Sequence, residues 1–208
     1  MRMSGGYASA MGHREDLLEG AKRCLLDKGW VRTTARDIVA ASGANLASIG
    51  YHYGSKDALM MAAFIQLTEE WGERVGRALA AGAAPDASHD ERMAACWDSL
   101  LDGFANDRAF WAAQFEMIGQ LPNRPEVREQ FAAVLPSGRE GIVAIFEGVE
   151  DDKVPAVASR TVGSVIHALF IGLWVQWLID PAVAPRGKDI VEGMRRIVEG
   201  RVLDPSEA

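Results

Sequence analysis

Cysteine is nearly absent: the 208 residues hold two, Cys24 and Cys96, far apart and both inside helical patterns. Disulfides therefore do not organise this chain, and with no secretory leader ahead of the first helix a reducing cytoplasm is the expected setting. The four histidines, His13, His52, His89 and His167, are scattered, and neither cysteine stands at metal-ligand spacing from any of them. No metal site or other cofactor is expected on that basis. Gly-x-Ser-x-Gly, His-Glu-x-x-His and dinucleotide fingerprints are all missing, so the chain does not read as an enzyme. Residues Gly50 to Lys56 have the outline of a phosphate-binding loop. They are one residue too few, lack the hydroxyl after the lysine, and follow a helical pattern instead of a strand.

Negative charge is missing from one place. The chain carries a formal charge of -7, yet no Asp or Glu occurs from Ile38 through Lys56. Residues 1 to 66 hold eight Lys or Arg against six Asp or Glu, whereas 67 to 208 hold fourteen against twenty-three. A mildly basic head on an acidic body suits a module that faces nucleic acid, because phosphates attract one end and repel the other.

What is present is helical. Hydrophobic residues make up 49% and charged residues 25% of a 22.5 kDa chain, enough for a substantial core. Apolar residues recur at i, i+3, i+4, and alternating runs of strand length do not occur, so the fold class is all-α, with about nine helices. A flexible arm is expected over 1–12, a three-helix head over 13–58, and a helical bundle over 59–208 joined to the head by a long fourth helix. The first helix, 13 to 28, carries Leu17, Leu18, Ala21, Cys24 and Leu25 on one face, and Gly29 ends it. Thr33 and Thr34 can cap a short helix through Ser42, and Gly43 marks its exit. Asn45 caps a third helix, Leu46 to Tyr53, and Ser55 caps the fourth, Lys56 to about Ala81. After a linker, GAAPDASHDE, further helices are expected at 89–105, 107–120, 124–147, 155–180 and 187–202. Prolines punctuate them, with Pro136 placed to kink the helix from 124 instead of ending it.

Two helices of about eight residues joined by Ser42-Gly43-Ala44-Asn45 have the dimensions of a helix-turn-helix. Ile49 and Tyr53 would face inward, with Ala44 filling the turn. Leu46, Ala47, Gly50 and Tyr51 would face outward, small or apolar enough to approach base edges and touch thymine methyls. A carboxylate on that face would repel the DNA backbone. Lys56 and the first amides of the fourth helix form a natural phosphate clamp.

From Arg14 to about Leu67 the chain resembles the TetR-type transcriptional regulators. The resemblance rests on Lys28-Gly29-Trp30, Thr33-Thr34-Ala35-Arg36-Asp37-Ile38-Val39, Gly43 through Tyr53, and Gly54-Ser55-Lys56-Asp57-Ala58-Leu59. It implies that Thr34 and Lys56 touch phosphates, that Arg36 reaches a base or phosphate, and that Asn45, Leu46, Ala47, Ser48, Gly50, Tyr51 and His52 lie on or beside double-stranded DNA. Departures are Gly50, where many members have tyrosine, and Asn45, where serine is common.

The segment 161 to 179, TVGSVIHALFIGLWVQWLI, carries no Asp, Glu, Lys or Arg. A buried helix accounts for it better than a membrane span, since it contains Thr161, Ser164, His167 and Gln176 and has no basic cluster at either end. With the amphipathic helix that follows, it would build a homodimer interface of four helices from Val165, Leu169, Leu173, Trp177, Ile190, Met194 and Ile197, an arrangement the resemblance also implies. Bulky residues in the middle of the chain, ordinarily core, could enclose a small apolar effector: Trp97, Leu101, Phe104, Trp111, Gln114, Phe115, Phe131, His167 and Trp174. The expected function is a ligand-responsive repressor that binds a palindromic operator as a dimer. The alternative is a helical small-molecule-binding protein or enzyme whose head serves packing alone.

Overall fold

A computed structural model of the chain describes residues 5–82 and 87–202. The centre of the expected linker and Met1 to Ser4 of the expected arm lie outside the described residues. Within them there is no strand, and nine helices follow in order. They are α1 (Gly5–Arg32), α2 (Ala35–Ser42), α3 (Leu46–Tyr53), α4 (Lys56–Gly82), α5 (His89–Asn106), α6 (Arg108–Gln120) and α7 (Pro125–Glu147). Then come α8 (Ala156–Ile179) and α9 (Gly187–Val198).

The chain divides into two compact units, residues 1–71 with 107–135, and residues 72–106 with 136–208. In the first unit, Leu17, Ala21 and Leu25 of α1 are fully buried with Ile38 of α2 and Leu59, Met60 and Ala63 of α4. Trp30 packs back into this core. Gly29 breaks α1 with φ 79°, ψ 178°, a conformation open essentially to glycine. A side chain there would also meet the carboxylate of Glu116 on α6, whose Oε2 accepts the Val31 amide at 3.1 Å. A helix of the later part of the chain thus bonds directly to the end of α1.

The second unit is built on aromatics. Trp97 packs edge-on against Phe146 at 5.1 Å between ring centroids. Phe104 lies 5.2 Å from Phe170, 6.5 Å from Trp174 and 6.0 Å from Trp177. The start of α9 is pinned to α5: the Gly187 amide donates to Asp98 Oδ1 at 2.9 Å, and Arg186 pairs with Asp98 and Asp102.

Several boundaries differ from expectation. α1 begins at Gly5 and not at 13, because Tyr-Ala-Ser-Ala-Met contains nothing that stops a helix once it is nucleated. α9 ends at Val198, four residues early, where Gly200 at φ 69° turns the chain out. α7, by contrast, runs through Pro136, which does not end the helix, as expected. The helix of 155–180 holds a π-helical turn at Ser159–Gly163 that periodicity did not reveal. Gly163 there approaches the Arg139 carbonyl so closely that an added Cβ would sit 2.9 Å from it.

His167 is half-buried, and burial, aided by Arg139, pulls its pKa below the usual value. The unfolded chain therefore binds the proton more readily than the folded one, and stability is lost as pH falls below about 6.5. Denaturant midpoints measured from pH 8 to pH 5 should fall for the natural chain and fall less for His167→Gln.

Candidate nucleic-acid interface

α2 and α3 owe their ends to local chemistry. Thr34 Oγ1 accepts the Asp37 amide at 3.2 Å while Asp37 Oδ2 accepts the Thr34 amide at 2.9 Å, a reciprocal cap. Gly43 leaves α2 in the left-handed conformation, φ 73°. Asn45 Oδ1 then accepts the Ser48 amide at 3.0 Å and starts α3. Ile49 and Ala44 are buried beneath it. Tyr53 is half-buried, its hydroxyl donating to the Arg14 carbonyl at 2.9 Å with the Arg14 guanidinium 5.4 Å above its ring. α3 is thereby held against α1 at its far end as well as against α2.

The opposite face of α3 is open. Leu46 is 55% and Tyr51 82% exposed, with Ala47 and Gly50 exposed beside them. Ser48 and His52 are half-buried, and the His52 ring stands edge-on to Tyr51 at 4.8 Å. Arg36 projects into solvent from α2.

The two carboxylates that bound the acid-free stretch are both neutralised. Lys28 Nζ lies 2.6 Å from Asp37 Oδ1 and, with Thr34, holds that carboxyl far below the usual range. Arg124 donates to Asp57, with Lys56 Nζ 3.3 Å from its other oxygen. Sequence reasoning missed both partners, since Lys28 and Arg124 belong to other helices or loops and no local spacing announces them.

Two expected phosphate contacts are modified by this network. Both donors of Thr34, its amide and its hydroxyl, already point at Asp37 Oδ2. The outward donors at the start of α2 are therefore the amides of Ala35 and Arg36, which helix geometry leaves without an intrahelical partner. Lys56 is half-buried, with Nζ donating to the Thr33 carbonyl at 3.1 Å, and burial, with Arg124 nearby, lowers its pKa. Thr34→Ala should lower stability by about 1 kcal/mol, read as a fall of about 2–4 °C in Tm for a chain of this size.

Comparison with known proteins gives this geometry a family. Residues 17–63 match the model of bacterial regulatory proteins of the tetR family, and residues 89–201 match the C-terminal part of BetI-type transcriptional repressors. The chain belongs to the TetR family. It is a helix-turn-helix transcriptional regulator and not an enzyme. Among its relatives, the nicotine-responsive transcriptional repressor HdnoR of Paenarthrobacter nicotinovorans is 23% identical, with 89% of this chain and 93% of that protein aligned. The repressor Rv1474c of Mycobacterium tuberculosis is 30% identical over 57% of this chain and 56% of its own length. The fold matches the multidrug binding protein EbrR complexed with proflavin, TM-score 0.59 at 24% identity, covering 92% of this chain and 99% of that one. A TetR-family member from Streptomyces coelicolor A3 matches with TM-score 0.58 at 23% identity, over 92% and 98% of the two chains.

In this TetR-family chain the residues named above for an effector fall into two groups, one in each compact unit. Trp111, Gln114, Phe115 and Phe131 belong to the first unit, where Trp71 meets Trp111 edge-on at 5.0 Å and Phe64 stacks on Phe110 at 5.7 Å and lies 6.2 Å from Phe131. Trp97, Leu101, Phe104, His167 and Trp174 belong to the second. A shared helical pattern could not separate them, because α5 and α6 adjoin in sequence and diverge in packing. Phe115 is 43% exposed. Buried amide oxygens of Gln66, Gln114 and Gln130 have no hydrogen-bond partner among the described residues, and sequence reasoning had singled out only Gln114.

The residues offered for self-association differ in exposure within the single chain. Leu173 and Ile190 are buried within their own unit, since each helix must turn one face to its own core. Leu169, Trp177 and Met194 are half-buried, and Val165 and Ile197 remain at the surface, Val165 at 60% exposure. The most apolar stretch of α8 has a mean hydropathy of 1.8, and only 28% of it is buried within the single chain.

Proposed function

We propose that this chain is a cytoplasmic, homodimeric repressor that releases a palindromic operator when a small effector binds. The observation that carries this reading is the outer face of α3, exposed, free of carboxylate and held from below by Ile49 and Tyr53. DNA-binding residues on this reading are Arg36, Leu46, Ala47, Ser48, Gly50, Tyr51, His52 and Lys56, with Thr34 and Asn45 shaping the two helix starts. One α3 spans too few bases for a specific address, and two related by symmetry read half-sites about one helical turn apart. Binding to the chain's own upstream region should weaken steeply as salt rises, through counterion release. Binding indifferent to both salt and sequence would sink the proposal.

The exposed apolar face of α8 and the open end of α9 support a second copy of the chain as their cover, since a soluble monomer seldom leaves such a face wet. Light scattering should give about 45 kDa, twice the 22.5 kDa chain.

For the effector, the first unit is the favoured seat. Gln114 shares a face of α6 with Phe110 and Trp111, and its buried oxygen asks for a donor. A flat, largely apolar molecule carrying an N–H group suits it, in keeping with the proflavin bound by EbrR. α4 runs from Lys56, beside the head, through Phe64 to Trp71, and α6 bonds to the end of α1 through Glu116, so a ligand that favours one packing of these helices shifts α3. Such a compound should quench tryptophan fluorescence and lower operator affinity over the same concentration range.

A further inference from the structure

The outer face of α3 holds no side chain that can form a paired hydrogen bond with a base edge. From Leu46 to Tyr53 there is no Arg, Lys, Asn, Gln, Asp or Glu. Those are the residues that read guanine, adenine or cytosine by two-point contacts in the major groove. Asn45, the nearest amide, spends its oxygen on the Ser48 amide, and presenting both ends of the amide to adenine would uncap the helix. Lys56 is turned to the Thr33 carbonyl. Ser48, Tyr51 and His52 supply single hydrogen-bonding groups but no two-point contact, and the rest of the face is carbon: Leu46 and Gly50 form one row four residues apart, and Ala47 and the Tyr51 ring the adjacent row. Gly50 has nothing within 4 Å of where a Cβ would stand, so its row is a shallow notch between Leu46 and Tyr51. Of the groups a major groove displays, the C5 methyl of thymine is the one that gains from apolar contact.

We infer that this protein recognises its operator chiefly through thymine methyl groups, which Leu46, Ala47 and Tyr51 cover, with Gly50 left without a side chain so that the helix can approach. The inference rests on the reading of α3 as the DNA-contacting helix. It makes Leu46 and Tyr51 the specificity-determining residues, and it explains why two large apolar side chains stay exposed on an eight-residue helix. Each methyl buried this way is worth about a four-fold change in affinity.

The test uses the full-length protein and operators selected from a random DNA pool. Thymines of the selected half-site are replaced one at a time by uracil, which removes only the methyl and keeps every hydrogen-bonding group. At least two positions per half-site should lose about four-fold in affinity. In Leu46→Ala the loss at one of those positions should vanish, since the contact has already gone, and salt dependence should be unchanged because no phosphate contact is touched. A specific, salt-sensitive operator that is insensitive to uracil, or one whose half-site lacks thymine, overturns the thymine inference and leaves the regulator reading standing. Failure to select any sequence overturns both.

Discussion

Ala47→Glu should weaken operator binding at least about a hundred-fold while leaving the protein as stable as before or slightly more so. The residue is exposed, so no core contact is lost. It lies in the first turn of α3, where a carboxylate interacts favourably with the helix dipole, by about 0.3–1 kcal/mol. The same carboxylate would be the first negative charge between Ile38 and Lys56, placed on the face that meets two phosphate strands. Like charges brought together at an interface cost several kcal/mol, and in a dimer the cost falls on both half-sites. Fluorescence anisotropy with a selected operator, alongside thermal unfolding, checks both halves of the expectation. The defect should shrink as salt rises, through screening. The reverse change, Ala47→Lys, should strengthen non-specific binding and steepen its salt dependence. If Ala47→Glu binds within a few-fold of the natural protein, α3 does not face DNA.

Gly187→Ala should destabilise the chain by about 3 kcal/mol, the upper end for forcing one extra methyl into a packed site. At Gly187 the first turn of α9 is buried against α5, and an added Cβ would lie 2.0 Å from the Ala94 carbonyl oxygen and 2.7 Å from its carbon. Both obstacles are backbone, so no side-chain rotation relieves them. α9 would have to move away, stretching the Gly187 amide bond to Asp98 and the Arg186 pairs with Asp98 and Asp102 and loosening Ile190. Tm should fall by about 6–12 °C. Gly50→Ala is the control: it sits in a helix with open space around it, and should raise stability by about 0.5–1 kcal/mol. On the reading of α3 given above, the same control should bind operator less well, since the notch it fills faces the bases. Equal Tm values for Gly187→Ala and the natural chain would mean that α9 is not seated on α5 as described.

The sequence by itself determined the helix-turn-helix, because everything that shapes it is local. Thr34, Gly43, Asn45 and Gly54 cap or end helices through bonds to amides and carbonyls no more than four residues away, and the limits of α2 and α3 follow from them. It also determined the absence of carboxylate on one face, a matter of composition alone. Only the tertiary structure decided what lies far apart in the chain. Glu116 reaches the end of α1 across 85 positions, and Arg124 reaches Asp57 across 67. The bulky residues of α5 and α6 part into separate clusters, and α8 turns Leu173 inward while leaving Val165 out. Periodicity says that a helix has an apolar face, and it is silent on which neighbour covers that face. That choice is made by side-chain volumes from distant segments fitting together, and a one-dimensional pattern carries no record of it.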